Sequence, residues 1–371
     1  MNGVDDTENL RRLQKAMMTC TYCGFCKSVC PTYEGIGWDT SVARGRIILS
    51  YGLLMREIDS DASVMKSLYQ CTTCKECERR CPSGIEVVDI VESARRALIA
   101  SGKVLPPHQR VIQNVRNFGN PYSESRRVQE IIGEGDRGAE LGYFAGCTAA
   151  YRNTNIALAT TSILRKMKER FVVTDAGCCG SVLQRIGLSG DEIKAVMERN
   201  VEGITARGVN EVVFSCAGCY RMFKEEYPRH VKVDFKVKHV TEFLAERDVK
   251  IRPFQGKLTY HDPCHLGRHM GVYDAPRRIL ARIPKAEVIE MQRHRETARC
   301  CGGGGGVRSA FPELSEQIAA QRMKEASFAD VLTTTCPFCV NNLSRGRDLC
   351  ASRTQVLDLM EFLEPLVEER T

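Results

Sequence analysis

The order of its cysteines constrains this chain more than any other feature. Nineteen cysteines are spread over 371 residues. A disulfide scaffold belongs to a short secreted chain, whereas abundant cysteine in a long chain kept reduced points to metal binding or catalysis, so spacing has to decide. The first eight form two copies of one pattern, Cys20-x-x-Cys23-x-x-Cys26-x-x-x-Cys30-Pro31 and Cys71-x-x-Cys74-x-x-Cys77-x-x-x-Cys81-Pro82. This is the bacterial ferredoxin run, in which three thiolates converge on one cube from a single loop and the fourth ligates the other cube. Cys20, Cys23, Cys26 and Cys81 are therefore expected to hold one cubane [4Fe-4S] cluster, and Cys71, Cys74, Cys77 and Cys30 a second. A pair of structural zinc sites is the alternative, but zinc does not require a third and fourth cysteine followed by proline, in this order, twice. The forty residues between Cys30 and Cys71 exceed the spacing of small ferredoxins and suggest a helical variety. Helix-like patterns at Glu8 to Met18, Ser41 to Met55 and Val87 to Ala100 agree.

Composition narrows the class. With 43% hydrophobic and 27% charged residues the chain reads as soluble and globular. Its longest apolar stretch, Ile47 to Met55, falls well short of the ~20 residues of a spanning helix, and the polar N-terminus lacks the layout of a signal peptide. The expected location is cytoplasmic, peripheral on the inner face of a membrane at most and then through a partner. The net charge of +7 is modest and its basic residues are interspersed with acids, which argues against nucleic acid as a partner and suits a small anionic substrate, an acidic redox partner or a solvated surface.

Four segments follow. Residues 1–103 form the expected helical ferredoxin-like domain, and 104–138 a polar linker marked by Pro106, Pro107, Gly119-Asn120-Pro121, Gly133 and Gly135. Residues 139–250 and 251–371 alternate short β-branched or aromatic runs with helical patterns, the signature of an α/β fold with a largely parallel sheet. The expected strands are Gly142 to Ala145, Phe171 to Thr174, Val212 to Ser215 and Val237 to Val240, then Leu258 to His261, Glu287 to Met291, Val331 to Thr334 and Val356 to Leu359. Landmarks in the two sets keep a nearly constant offset: 117 from Cys147 to Cys264, 122 from Cys178 to Cys300 and 120 from Cys216 to Cys336. Thr241-Glu-Phe-Leu244 recurs as Met360-Glu-Phe-Leu363. The repeat predicts a pseudo-two-fold domain whose two halves carry related sites facing each other.

Each half holds five of the next ten cysteines. The first half has Cys147, Cys178, Cys179, Cys216 and Cys219, and the second has Cys264, Cys300, Cys301, Cys336 and Cys339. Each group falls where an expected strand gives way to a loop, the edge at which open α/β sheets carry ligands. On their own these sets leave open ordinary cubanes, or a zinc site with spare thiols.

The segments Phe144-Ala-Gly-Cys147-Thr-Ala-Ala-Tyr-Arg152, Cys178-Cys-Gly-Ser181, Cys216-Ala-Gly-Cys-Tyr-Arg221, Tyr260-His-Asp-Pro-Cys-His-Leu-Gly-Arg-His269 and Cys300-Cys-Gly-Gly-Gly-Gly-Gly-Val-Arg308 resemble the CCG-domain iron-sulfur family of the heterodisulfide reductases, over nearly the whole chain. The resemblance implies that each five-cysteine set holds a noncubane [4Fe-4S] cluster. It also implies that a small anionic disulfide, the CoB-CoM heterodisulfide, is reduced between the two by a catalytic subunit working in a complex with a membrane cytochrome b. Other two-CCG proteins are similar as well, and through them the resemblance implies an alternative: an electron-transfer subunit that serves a flavin-linked 2-hydroxyacid (glycolate or lactate) or glycerol-3-phosphate dehydrogenase.

Several residues flank these sets. Gly302 to Gly306 lack the Lys-Ser/Thr ending of a phosphate loop and are expected to let backbone approach a cluster and donate N–H groups to sulfur. His261, His265 and His269 could suggest zinc, but Pro263 makes one continuous helix unfavourable and Cys264 between them has another assignment. His265 is expected as proton donor to a product thiolate, with a structural histidine as the alternative. Arg152, Arg221, Arg268 and Arg308 are candidates to pair with anionic substrate groups, or to form structural salt bridges. The expected catalytic set is therefore His265, Arg268 and Arg308. Cys350, outside every motif, is expected to be a buried packing residue.

Overall fold

The computed structural model describes residues 6–370. The N-terminal part is helical. The helix expected from Glu8 to Met18 is two helices, Asp6–Arg12 and Gln14–Met18, interrupted at Leu13. Ala43–Met55 follows a 3₁₀ turn over Asp39–Ser41, and Val87–Ala100 spans the range expected. The last of these turns Val87, Val88, Ile90, Val91, Ala94 and Leu98 inward, an apolar stripe at helical spacing that packs against Asp6–Arg12 and Ala43–Met55. Asp61 starts the intervening helix Ala62–Tyr69 by accepting from the N–H groups of Ser63 and Val64 at 2.8 and 2.9 Å, satisfying two of the orphan donors of a helix start.

The stretch expected as a polar linker holds two helices, Pro106–Phe118 and Val128–Ile132. Pro106 and Pro107 open the helix Pro106–Phe118 and Gly119, in the left-handed region at φ 69°, closes it. Proline in the first turn and glycine past the last are helix punctuation as much as loop signals. Its inward face carries His108, Ile112 and Val115.

The remainder is two four-stranded, all-parallel sheets. The strands are β1 Leu141–Phe144, β2 Phe171–Val173, β3 Glu211–Phe214, β4 Lys236–His239, β5 Gly256–Tyr260, β6 Ala286–Val288, β7 Val331–Thr334 and β8 Gln355–Asp358. Their orders, β2-β1-β3-β4 and β6-β5-β7-β8, are the same topology used twice. The repeat extends to single contacts: Tyr143 Oη meets Ser215 Oγ at 2.8 Å and Tyr260 Oη meets Thr335 Oγ1 at 2.8 Å. The recurrent Glu-Phe-Leu segment is a capping box each time, with Glu242 accepting from the His239 N–H and Glu361 from the Asp358 N–H, both at 2.9 Å. The inner strands β1 and β7 are buried along their whole length, as parallel strands covered on both faces must be. Six of the eight expected strands end one residue beyond those observed; Ala145, Ser215 and His261 have already left their strands to start the loops that bear cysteine.

Candidate metal centre

Every strand of the two inner pairs delivers cysteine at its C-terminal edge. β1 leads through Gly146, at φ 79°, into Cys147, and β3 ends two residues before Cys216. β5 and β7 do the same for Cys264 and Cys336. The Asp175 carboxylate, just beyond β2, accepts from the N–H groups of Ala145 and Gly146 at 2.9 and 2.7 Å and so fixes the loop before Cys147.

The ten cysteines are all buried and free of disulfides, and nine of them, all but Cys300, line one cavity of about 450 Å³. Their sulfurs form a continuous series of contacts. In the first half it runs Cys147, Cys178, Cys179, Cys219, Cys216, and in the second Cys336, Cys339, Cys301, Cys300, Cys264, with Cys216 touching Cys336 where the halves meet. Thiols this close share protons: the hydrogen bond from Cys147 holds Cys178 well below the usual thiol range, and the one from Cys219 does the same for Cys216. The Gly180 N–H points at Cys178 Sγ at 3.4 Å, Gly302 N–H at Cys300 Sγ at 3.3 Å and Gly303 N–H at Cys301 Sγ at 3.5 Å. Among the described residues no Asp or Glu lines the cavity. A sulfur-rich donor set with backbone N–H groups aimed at it suits iron-sulfur chemistry and disfavours hard cations.

The two ferredoxin runs interleave. Cys20, Cys23 and Cys26 share a small cavity with Cys81 from the other run, and with Cys77. Cys30 lies in the field of Cys77 together with Cys71 and Cys74. The first group faces outward, and Cys23 alone among the nineteen cysteines is exposed; Cys30, Cys71 and Cys74 are buried. Cys74 hydrogen-bonds Cys300, so the inner ferredoxin group abuts the second-half set.

The glycine run explains that contact. A Cβ on Gly305 would collide with the Cys71 carbonyl oxygen, one on Gly304 would stand 2.9 Å from the Thr72 carbonyl oxygen, and one on Gly306 would be 2.8 Å from His108 Nε2. The run therefore lets the second half approach the ferredoxin loop as well as its own sulfurs.

The flanking residues divide. His265 lines the cavity with Nδ1 free of any partner among the described residues, and its ring stacks on His269 at 4.7 Å. Burial, reinforced by Arg221 and Arg185, holds it well below the ordinary imidazole range, so the bare chain presents a neutral ring there instead of a cationic acid. Arg152 and Arg308 also line the cavity, without a carboxylate partner among the described residues. Arg308 donates to Asn342 Oδ1 at 2.7 Å, and Arg152 lies 4.6 Å over the Tyr122 ring. Arg345, absent from the sequence-based set, lines the same wall and pairs with Glu316 at 3.0 Å. Nothing short of the fold marks it, because it belongs to no cysteine motif.

Two arginines correct the sequence-based expectation. Arg268 lies outside the cavity lining. It is ion-paired to buried Glu76 at 2.7 Å and donates to the carbonyl oxygens of Cys74, at 2.6 Å, and Ala298. Arg221 is likewise spent on Glu225 and Glu226 at 2.9 and 3.2 Å. Arg185, another lining residue, bridges Glu92 of the helical part at 2.6 Å and Glu226 at 2.8 Å. These cations tie the parts of the molecule together. Cys350 is half-buried, not buried, at the end of the helix Pro337–Leu349.

Comparison with known proteins agrees with this architecture. Residues 141–224 and 258–344 each match the cysteine-rich domain family CCG, and residues 16–85 match the 4Fe-4S dicluster domain family. The chain is 37% identical to one subunit of the dihydromethanophenazine:CoB–CoM heterodisulfide reductase of Methanosarcina barkeri, over 96% of both chains. It is 33% identical to one subunit of the fumarate reductase (CoM/CoB) of Methanothermobacter marburgensis, over 94% of this chain and 72% of that one. Among solved structures, a hypothetical protein from Helicobacter pylori superposes with a TM-score of 0.61 at 10% identity, covering 100% of this chain and 74% of that one, which is a likeness of fold. No helix among the described residues is long and apolar enough to cross a membrane.

Proposed function

This chain belongs to the iron-sulfur family of that heterodisulfide reductase subunit, and from that premise we propose that it is the disulfide-reducing component of a redox complex, acting on the CoB-CoM heterodisulfide. In this reading two cubane [4Fe-4S] clusters are held by Cys20, Cys23, Cys26, Cys81 and by Cys71, Cys74, Cys77, Cys30. Two noncubane [4Fe-4S] clusters are held by the five-cysteine sets of the two halves. The observation that carries the reading is the meeting of both sets at one cavity, where Cys216 touches Cys336 under walls that bear Arg152, Arg308 and Arg345.

Iron-sulfur centres, when bound, supply electrons singly, and a disulfide needs two. The chain's own residues do the rest. Cleavage of the S–S bond takes two electrons and two protons and releases two thiols. The buried sulfurs exclude bulk water from that bond. Arg152 from the first half and Arg308 from the second offer cations to the sulfonate, phosphate and carboxylate ends of the substrate. His265 presents an unpaired ring nitrogen, Nδ1, at the cavity wall; neutral in the chain alone, it has to gain a proton there before it can pass one to a departing thiolate.

Electrons enter on this reading at the outward ferredoxin group. Near Cys23 in the chain, Met18, Tyr22, Phe25 and Trp38 are exposed by 67%, 57%, 59% and 73%, large apolar side chains of the kind a partner protein covers. A membrane cytochrome b is the partner proposed for it. Passage inward then runs through the buried group at Cys74 to Cys300.

The test is anaerobic purification followed by iron analysis and a viologen assay. About sixteen irons per chain are expected for four four-iron clusters, with oxidation of reduced viologen only once heterodisulfide is added. Full iron without that activity would refute the disulfide reading and leave an electron relay that serves a flavoprotein.

A further inference from the structure

The two halves share a topology but not the surroundings of their sulfurs. Tyr143 and Tyr260 occupy matching places, each hydrogen-bonded to the residue that precedes a cysteine of the neighbouring loop, Ser215 before Cys216 and Thr335 before Cys336. The next residues therefore correspond as well: Phe144 in the first half, His261 in the second. Phe144 packs against the rings of Phe214 and Phe223, at centroid distances of 5.3 and 5.2 Å, and offers sulfur nothing polar.

His261 is different in kind. It is 1% exposed, and its main chain is fixed by β7, whose Thr333 carbonyl oxygen accepts its N–H at 2.8 Å while its own carbonyl oxygen accepts from Thr334 Oγ1 at 3.0 Å. Its Nδ1 accepts from Arg322 Nε at 3.2 Å. Arg322 is itself held by Glu325 and by the Arg293 carbonyl oxygen at 2.8 Å. A ring nitrogen that accepts carries no proton, so the imidazole proton resides on Nε2. Nε2 has no nitrogen or oxygen partner among the described residues. What surrounds it is sulfur: one ring nitrogen of His261 and the Sγ atoms of Cys301 and Cys339 lie within 4.8 Å of one another.

We propose that His261 is a positioning residue for the second-half sulfur set, its Nε2–H donating to Cys301 so that the cluster held there is the more easily reduced of the pair. The inference rests on the reading that both five-cysteine sets carry clusters. A hydrogen bond to a ligating sulfur stabilises the extra electron density of the reduced state, and such bonds are a principal means by which proteins raise cluster potentials. Arg322 fixes the tautomer, and Phe144 leaves the first set without a donor at the matching position. The set favoured for reduction is also the one that touches Cys74, so an electron arriving from the ferredoxin side meets the better acceptor first.

The test uses the whole holoprotein, purified anaerobically, in a dye-mediated redox titration followed by electron paramagnetic resonance, with iron measured on each sample. His261→Phe copies the first half and His261→Gln keeps an N–H donor. In H261F one couple of the cysteine-rich domain should move to lower potential while the other stays, with iron unchanged. A tenfold loss in the reduced-to-oxidised ratio at fixed potential corresponds to about 59 mV for a one-electron couple. H261Q should lie nearer the wild type. Unmoved couples at full iron, equal movement of both, or H261Q as low as H261F would overturn the proposal. Loss of about four irons in both variants would overturn it as well, since His261 would then be a ligand. Should H261F not fold, H261Q decides alone: a couple far below wild type refutes the donor role. A wild-type protein with only about eight irons would instead sink the cluster reading on which the inference stands.

Discussion

Replacing Arg268 with alanine should loosen the molecule without weakening substrate binding. Arg268 and Glu76 are 3% and 2% exposed at their side chains and 2.7 Å apart. The guanidinium also serves the carbonyl oxygens of Cys74 and Ala298. Removal leaves a carboxylate in a dry site, and breaking a buried pair from one side generally costs about 3–5 kcal/mol. Arg293, 3.2 Å from the other Glu76 oxygen, remains as partial compensation, so the lower figure, about 3 kcal/mol, applies. Glu76→Gln in the R268A background takes away the stranded charge and should restore roughly 2 kcal/mol, a coupling expected of residues in direct contact. The assay is anaerobic urea unfolding followed by loss of cluster absorption, beside the KM for disulfide. R268A should unfold at lower urea with KM unchanged, and the double variant should recover part of the difference. A wild-type unfolding midpoint together with a raised KM would refute this account and return Arg268 to the substrate.

Two further outcomes follow from the same packing. His108 donates to the Gly306 carbonyl oxygen at 3.0 Å and burial depresses it to about 4, below the ~6.5 of an unfolded chain. The unfolded state then binds more protons between those values, so stability from this group is complete above about pH 6.5 and is lost as pH falls towards 4; His108→Gln should flatten that part of the profile in urea titrations at pH 5 and 7. Gly305→Ala should destabilise far more than Gly84→Ala. Both have positive φ, 63° and 62°, but a Cβ on Gly84 meets open space and one on Gly305 meets the Cys71 carbonyl. G84A should cost about 1–2 kcal/mol, the strain of a left-handed non-glycine residue, and equal losses in anaerobic unfolding of the two variants would disprove close packing there.

What the sequence disclosed was local or periodic. Cysteine spacings within a run act over a few residues, and a repeat is visible because Cys147, Cys178 and Cys216 recur as Cys264, Cys300 and Cys336 at a nearly constant offset; eight strands follow from such patterns. Partners far apart along the chain were hidden. Arg268 sits in a cysteine motif and reads as a substrate contact, but Cys74, whose carbonyl it serves, is 194 residues away. Pro106 and Pro107 read as breakers because a helix start and a loop use the same residue. In sequence His261 suggests only a zinc ligand on a helix with His265 and His269, and its relation to Arg322, 61 residues on, needs the fold.

The same hidden contacts give direction to a domain whose repeat alone would be symmetric. The second half takes the ferredoxin loop against Gly304 and Gly305, locks it through Arg268 and Glu76, and brings Cys300 to Cys74. The first half meets the helical part through the charge bridge of Arg185, Glu92 and Glu226, while the sulfurs of its five cysteines engage one another and Cys336. A pair of equivalent sulfur sets fed from both sides would have no reason to differ. Fed from one side, the set nearer the source must accept before the other, and it is there that His261 replaces Phe144.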